Sequence, residues 1–220
     1  MNKKAIVLLS GGLDSTTVLY YALSKKYECH CLIFDYGQKH KKEIDVATKI
    51  AKGLKLKYRI IKISMPWCES SLVSKSVKIP NHKTIKMGYV PTTYVPGRNT
   101  IFLSYAISYA ETIKANALFL GVNAVDFSSY PDCTPKYLQA MRNVLKALKN
   151  NIEIFAPIEK MSKNEIIKLG LKLKVPYEYT WTCYNGTKKP CGTCDSCKLR
   201  AKGFKEVGID DPAIKKSSGK

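Results

Sequence analysis

The chain has 220 residues and a formal net charge of +20, with 37 lysine and arginine residues against 17 aspartate and glutamate residues. This length allows one domain with a sizeable core and a small appendage. No run of about 18 or more apolar residues is present, which argues against a membrane span. Because lysine is spread along the whole chain, the charge indicates a general lysine bias rather than a nucleic-acid-binding surface. We expect a cytoplasmic protein without a membrane partner or a stable nucleic-acid partner, since a signal-peptide cleavage site is also missing.

The first candidate site follows an apolar, β-branched run at residues 5–9, which predicts a buried strand. Residues 10–17 read Ser-Gly-Gly-Leu-Asp-Ser-Thr-Thr, and a helical pattern begins at Thr17 and runs to Leu23. Adjacent glycines allow a tight turn, a helix N-terminus attracts anions, and the Ser and Thr hydroxyls add hydrogen-bond donors. This octet therefore predicts a phosphate-binding loop, but not a Walker A loop, since the terminal Gly-Lys-Ser/Thr is missing. We expect Asp14 to cap the helix or to bind a magnesium ion that bridges phosphates.

The octet resembles the SGGxDS loop of the PP-loop ATP pyrophosphatases, enzymes that activate carboxyl or carbonyl oxygens by adenylation. The resemblance implies that the loop and its flanks bind ATP, through Leu9, Ser10, Gly11, Gly12, Leu13, Asp14, Ser15, Thr16, Thr17, Val18 and Leu19.

Further strands are predicted at residues 29–35, 58–63, 117–122 and 153–156. Helices are predicted at residues 43–52, 101–114 and 136–149, and a capping-box pattern at 162–165 opens another. Alternating strands and helices predict a doubly wound, mainly parallel sheet of five strands. Its ligands are expected beyond the carboxyl ends of the strands. Alternation places Cys29 and Cys31 on one face of a strand, where we interpret them as core residues.

Two segments between these elements leave alternatives open. Residues 64–91 have no clear period, and a lid over the site and a plain surface loop explain them equally well. Arg98 stands at the start of a predicted helix, where the dipole disfavours a cation. A bound anion explains this placement through a bidentate contact, and a salt-bridged cap is the alternative.

Two carboxylates lie in the polar stretch that follows the fourth predicted strand. Asp126 and Asp132 are candidates for pairing with amidine-type nitrogens of a purine-like base, because polar loops at strand ends carry function. Asp132 has a second interpretation, as a cap for the helix that begins near Pro135.

The last motif contains four cysteines, Cys183, Cys191, Cys194 and Cys197. Their spacing predicts a closed, tetrahedral zinc site with a structural role. An iron–sulfur cluster is the main alternative, since a Cys-x₂-Cys-x₂-Cys run also holds such clusters.

The motifs at residues 10–17, 34–38, 95–99, 130–133, 182–186, 191–197 and 199–201 occur in order. Together they make residues 4–204 similar to the 7-cyano-7-deazaguanine synthase family of queuosine biosynthesis. This resemblance implies an ATP-dependent ligase that converts 7-carboxy-7-deazaguanine and ammonia to the nitrile through adenylated acid and amide intermediates. It implies a PP-loop domain at 1–180, a structural zinc knuckle at 181–204 and a tail at 205–220.

The same resemblance supplies expectations for the site and the assembly. ATP and Mg²⁺ are expected at the loop, with Ser10, Asp14, Ser15 and Arg98 as catalytic residues. We expect a homodimer. The candidate residues for the substrate pocket are Tyr36, Gln38, Arg98, Asn99, Asp126 and Asp132.

The chain departs from the family pattern at Ser129, where a glycine is common, and at Thr134, where an arginine is common. This puts individual substrate contacts in question, but not the reaction class. Two other functions are alternatives to this one. A PP-loop enzyme that acts on tRNA is favoured only by the +20 charge. A zinc-ribbon nucleic-acid-binding protein leaves the loop at 10–17 unexplained.

Overall fold

The structure is a computed structural model that describes residues 3–74, 76–79, 90–123, 130–185 and 188–214. Five strands form one sheet, and every neighbouring pair of strands is parallel, in the order β3-β2-β1-β4-β5. The strands are β1 Lys4–Leu8, β2 Glu28–Asp35, β3 Lys57–Lys62, β4 Ala117–Phe119 and β5 Glu153–Phe155. The helices are α1 Leu13–Ser24, α2 Lys42–Gly53, α3 Arg98–Ile113, α4 Pro135–Ala147, α5 Lys163–Lys172 and α6 Asp195–Val207. Single 3₁₀ turns lie at Pro131–Cys133 and Tyr177–Tyr179.

Helices cover both faces of this sheet, which confirms the doubly wound architecture. Successive strand residues point to opposite faces, so Ile6 and Val7 of β1 enter different cores. The core that contains Ile6 includes buried residues of α3 and α4. The core that contains Val7 includes residues of α1, α2, α5 and α6. The sheet is therefore the middle of three layers, and its carboxyl edge is left for a ligand.

Cys29 and Cys31 are confirmed as core residues of β2. Both are buried in the core that contains Val7. Burial raises the pKa of each thiol to about 12. The two thiols are therefore protonated and unreactive at neutral pH.

Several boundaries differ from the sequence-based expectation, and two of the differences affect the site. Helix α1 begins at Leu13, four residues before the predicted start, because the chain turns into the helix directly after Gly12. Strand β4 ends at Phe119 rather than at residue 122. A Cβ on Gly121 would lie 2.9 Å from the backbone nitrogen of Ser15. The chain after β4 thus leaves the sheet to pack against the first turn of α1, and only glycine allows that approach.

The described part of residues 64–91 packs on the domain rather than extending away from it. Met65 and Leu72 are buried in the core that contains Ile6. The carbonyl of Leu72 accepts a 2.9 Å hydrogen bond from the amide of Lys39. Residues 75 and 80–89 of this segment lie outside the described residues, so the choice between a lid and a surface loop stays open.

The division at residues 180 and 204 stays a prediction, although α6 runs across residue 204 to Val207. Beyond the helix, Asp211 accepts bonds of 2.7 and 2.9 Å from the Arg200 guanidinium, and both side chains are buried.

Lysines follow the last turn of five of the six α-helices in the described part of the chain. The residue with positive φ at the end of α1 to α5 is in each case a lysine, namely Lys26, Lys55, Lys114, Lys149 and Lys174. Glycine is the usual residue in this left-handed conformation, and it occupies the end of α6 as Gly208. A cation near a helix C-terminus interacts favourably with the helix dipole. Part of the +20 charge therefore lies at helix C-termini, which agrees with a general lysine bias.

We predict that Lys55→Gly raises the free energy of unfolding by about 0.5–1 kcal/mol, because it removes left-handed strain from a side-chain-bearing residue. Gly208→Lys is the matched reverse change, since a Cβ at Gly208 meets nothing within 4 Å and only the φ of +81° opposes it. This variant should lose a similar amount. Urea unfolding of both variants measures the effect. Equal stability of all three proteins would contradict the strain assignment.

Candidate active site

A cleft of about 240 Å³ opens at the carboxyl edge of the sheet. It is bounded by the loop after β1, the segment after β2, the starts of α2, α3 and α5, the segment after β4, and the chain between α5 and α6. The polar or charged residues that line it include Ser10, Asp14, Ser15, Tyr36, Gln38, Glu43, Arg98, Asn99, Asn123, Tyr130, Lys163, Tyr184, Ser196 and Arg200.

The loop after β1 is shaped by close packing against α2. Gly11 has a φ of +76°, and a Cβ there would lie 2.7 Å from the amide nitrogen of Ala47 and 2.9 Å from the carbonyl oxygen of Glu43. Glycine is therefore required both for its conformation and for space. Gly12 is the N-cap of α1. The amides of residues 13–15 have no acceptor within the helix, and this arrangement suits a bound anion.

Ser10 and Ser15 present hydroxyls at the mouth of this loop. Their Oγ atoms lie 2.9 Å apart, and the amide of Ser10 donates a 3.2 Å bond to Ser15 Oγ. Both residues line the cleft. They are the loop hydroxyls that can reach a phosphate.

The following threonines face the protein interior instead. Thr16 donates to the carbonyl of Gly12 at 2.7 Å, and Thr17 donates to the carbonyl of Leu13 at 2.8 Å. Both side chains are fully buried, as are Val18 and Leu19. This corrects the expectation that all four hydroxyls of the octet point to phosphate: hydroxyls at these helix positions bond to the carbonyl four residues back.

Asp14 pairs with a lysine that the sequence did not point to. The Nζ of Lys163, at the start of α5, lies 2.7 and 2.9 Å from the two carboxylate oxygens. The N-cap of α1 is Gly12, so the expectation that Asp14 caps this helix is wrong. Gly203 of α6 leaves room for the lysine, because a Cβ there would lie 2.5 Å from Lys163 Cγ. The pair places a cation beside the phosphate-binding loop.

Tyr36, Gln38 and Arg98 form one cluster on the opposite wall. Gln38 accepts from the amide of Tyr36 at 2.8 Å and donates to the carbonyl of Phe34 at 3.0 Å, which fixes the turn after β2. The Arg98 Nη1 donates to the Tyr36 hydroxyl at 3.1 Å. Among the described residues no carboxylate lies within ion-pair distance of Arg98. Within the described part of the chain Arg98 therefore has no salt-bridged cap, and its guanidinium is available there to an anion in the cleft.

Asp132 has a structural position rather than a place in the cleft. Its carboxylate accepts from the amide of Asn99 at 3.1 Å, and Asn99 Nδ2 donates to the carbonyl of Asp132 at 3.0 Å. Asp132 is buried and does not line the cleft. It thus satisfies the first turn of α3, which corrects both of its interpretations, because the cap of α4 is Thr134.

The departures from the family pattern fall in the same region. Thr134, where an arginine is common, accepts from the amide of Tyr137 at 3.1 Å and so caps α4. Asp126 and Ser129 lie outside the described residues.

Glu43 is the second functional candidate that sequence reasoning missed. The segment at 39–43 has the composition of a solvated helix face, yet Glu43 lines the cleft and Lys42 Nζ lies 3.7 Å from the centre of the Trp181 ring. Burial raises the pKa of Glu43 to about 7, and the positive charge of Arg98 opposes that rise. The available signal was the position of Glu43 in the first turn of the helix that follows β2, at the edge of the sheet where ligands bind.

The four predicted cysteines come together. Their sulfur atoms all lie within 4.8 Å of one another, and a tetrahedral zinc site with bonds of about 2.3 Å requires separations of about 3.8 Å. The amides of Asn185 and Cys191 donate to Cys183 Sγ at 3.3 and 3.2 Å. Such donors favour thiolates over thiols. The cluster fits a four-coordinate metal ion without an open position.

This cluster is connected directly to the phosphate-binding loop. The amide of Trp181 donates a 2.9 Å bond to the carbonyl of Gly11, and its indole Nε1 donates to the carbonyl of Cys183 at 2.9 Å. Cys194 is the N-cap of α6, and Cys197 lies in its first turn. The sequence reasoning did not predict this helix, which packs on α5 through the core that contains Val7.

The sheet order, the glycine loop at its carboxyl edge and the cysteine cluster define a PP-loop-type α/β protein. Comparison of folds agrees: NMN synthetase from Francisella tularensis matches with a TM-score of 0.53 at 16% identity, over 95% of this chain and 78% of that one. Among the described residues no helix is long and apolar enough to cross a membrane.

Sequence comparison gives the family. The sequence model for the queuosine biosynthesis protein QueC matches residues 4–208. The 7-cyano-7-deazaguanine synthase of Picrophilus torridus is 51% identical over 214 residues, which are 94% of this chain and 90% of the relative. The synthase of Thermoplasma volcanium is 48% identical over 219 residues, or 96% and 90%. The chain belongs to the QueC family.

We predict that Gly203→Ala lowers the free energy of unfolding by about 1–3 kcal/mol, because the new methyl group overlaps the stem of Lys163. The matched control is Gly53→Ala in α2, where a Cβ meets nothing within 4 Å. That control should be neutral or stabilising by up to about 1 kcal/mol. Urea unfolding compares the two. A neutral Gly203→Ala would contradict the close approach of α6 to Lys163.

Proposed function

We propose that the chain is an ATP-dependent ligase that converts 7-carboxy-7-deazaguanine and ammonia into 7-cyano-7-deazaguanine. The proposal rests on family membership over residues 4–208 and on relatives that carry the synthase name. The observation that carries it is the single cleft in which the glycine loop faces Tyr36 and Arg98. In this cleft a loop suited to phosphates and a guanidinium suited to a carboxylate lie on opposite walls.

The reaction needs two activations of the same carbon. In the proposed course, ATP adenylates the substrate carboxylate, ammonia displaces AMP to give the amide, and a second adenylation of the amide oxygen allows loss of AMP to give the nitrile. Ser10, Ser15 and the free amides of residues 13–15 would bind the phosphates. The positive charge of Lys163, held by Asp14 at 2.7 Å, would stabilise the leaving pyrophosphate.

The opposite wall suits the substrate. Arg98 is held toward the cleft by Tyr36, and a guanidinium binds a carboxylate in a bidentate manner. The side-chain amide of Gln38 is hydrogen-bonded to the backbone of Tyr36 and Phe34, so we assign Gln38 a positioning role. Asn99 lines the cleft but bonds to Asp132. Asp126 remains our candidate for recognising the purine-like edge.

Two metal ions belong to the proposal. We infer that the cysteine cluster holds one zinc ion, which stabilises the fold at residues 181–204 and takes no part in the chemistry. Asp14 and the ATP phosphates would hold Mg²⁺, which would offset phosphate charge. We further propose a cytoplasmic homodimer that uses free ammonia.

The first test is a mass-spectrometric assay of purified protein with ATP, Mg²⁺, ammonia and 7-carboxy-7-deazaguanine. We expect the nitrile, and we expect Asp14→Asn to reduce its rate by at least about 100-fold, because Lys163 loses the charge that orients it. Lys202→Met, on the exposed face of α6, is the control and should match wild type. Folded protein that turns over tRNA or another carboxylate instead would refute the substrate assignment.

The metal proposal has a separate test. Cys194→Ser should lose the zinc found by elemental analysis of the wild-type protein and should lower the free energy of unfolding by about 3–5 kcal/mol. Cys68→Ser, remote from the cluster, should keep one zinc per chain. Iron with visible absorbance in the wild-type protein would identify an iron–sulfur cluster and contradict the zinc assignment.

A further inference from the structure

The proposed reaction releases protons from nitrogen, and this inference rests on that proposed function. When ammonia adds to the adenylated acid, the nitrogen loses one proton, and AMP leaves with the electron pair of the carbon–oxygen bond. When the adenylated amide becomes the nitrile, the nitrogen loses both remaining protons and AMP again leaves with that electron pair. A group near the reacting carbon must accept these protons one at a time.

The described lining of the cleft offers few acceptors. Its carboxylates are Asp14 and Glu43, and both oxygens of Asp14 are engaged by Lys163. Burial raises the pKa of Cys133 to about 12, so this thiol is protonated. Burial also raises the pKa values of Tyr36, Tyr130 and Tyr184. Glu43 is the remaining group.

The position of Glu43 agrees with this role. Its carbonyl oxygen packs on Gly11, so its backbone is fixed against the loop that would hold the adenylate. Glu43 lines the cleft between that loop and the wall that carries Arg98, and its carboxylate is close enough to Arg98 for the guanidinium charge to lower its pKa. Among the described residues its carboxylate has no hydrogen-bond or ion-pair partner, although burying such a group without a partner is costly. A carboxylate kept in this way is available to a ligand.

We propose that the Glu43 carboxylate accepts the protons released from nitrogen in both C–N steps, and passes each to solvent before the next. The substrate acid is activated without proton release from nitrogen, so this first step does not need Glu43. The two halves of the reaction can therefore be separated in an experiment.

The test compares wild type with Glu43→Gln, which keeps the shape of the side chain. The first measurement is pyrophosphate–ATP exchange that depends on 7-carboxy-7-deazaguanine, without ammonia. The second is formation of amide and nitrile with ammonia, followed by mass spectrometry. We expect exchange within about twofold of wild type, and amide formation slowed by about 100-fold or more. With synthetic amide as substrate, nitrile formation should be slowed as well.

Two further variants control for position and folding. Asp45→Asn removes the same charge from the same first turn of α2, but its side chain is exposed, and it should keep wild-type rates. Glu43→Asp should keep more amide formation than Glu43→Gln, because a carboxylate remains.

Three results would overturn the inference. Normal amide formation by Glu43→Gln would show that another group accepts the protons. Loss of exchange in parallel with amide formation would show that Glu43 acts on nucleotide binding or on the fold. Wild-type protein that forms neither nitrile nor exchange would refute the proposed function, and this inference with it.

Discussion

The contact between Gly11 and the start of α2 is the constraint on which the site depends. The space beside Gly11 is so small that a Cβ added to this residue would lie 2.7 Å from the backbone nitrogen of Ala47. Because the loop is seated on α2, α1 begins immediately after Gly12 and leaves its first amides free. The same contact fixes Glu43 beside the loop. One steric requirement thus sets the anion-binding amides and a cleft carboxylate together.

The cysteine cluster extends this constraint to the C-terminal part of the chain. Trp181 bonds to the carbonyl of Gly11 on one side and to that of Cys183 on the other. A metal ion bound by the four cysteines would therefore influence the loop through a short chain of hydrogen bonds.

Arg200 of α6 belongs to a buried network in which it bonds to the carbonyl of Tyr177 and, bidentately, to Asp211. Breaking one partner of such a network leaves an uncompensated buried charge, which costs several kcal/mol, about 3–5 in other proteins.

Local patterns in the sequence were sufficient for the five strands, for helices α1 to α5 and for the two motifs, but not for α6. The glycine pair, the alternation at Cys29 and Cys31 and the capping box at Ser162 each depend on neighbours within a few residues, and all three are found in the structure. Helix starts were less accurate, as at α1, because the cap depends on how tightly the loop packs against α2. Spacing also sufficed for the cysteine cluster, since its ligands are close in the chain.

The charged side chains of the cleft could not be predicted in this way. Lys163 bonds to Asp14, which lies 149 residues away in the sequence. The missing side chain of Gly203 in α6 leaves the space that Lys163 occupies. Glu43 belongs to a lysine-rich stretch with the composition of a solvated face. Asp132 bonds backward to α3, whereas a cap is normally sought in the helix that follows. In each case tertiary packing determines which groups surround the side chain. The local sequence around that residue carries no signal for this packing.

The charges of the cleft also explain why this site is suited to bind an anion without rearranging. Lys163 is paired with Asp14, whereas Arg98 and Glu43 have no ion-pair partner among the described residues. Partly buried charges without partners reduce stability, so the free protein carries a cost that an anionic substrate at Arg98 would relieve. The side chains themselves are already held in place, Arg98 by Tyr36 and Tyr36 by Gln38. Binding then requires little reorganisation, and an electrostatically prearranged site is the kind that stabilises developing charge most effectively.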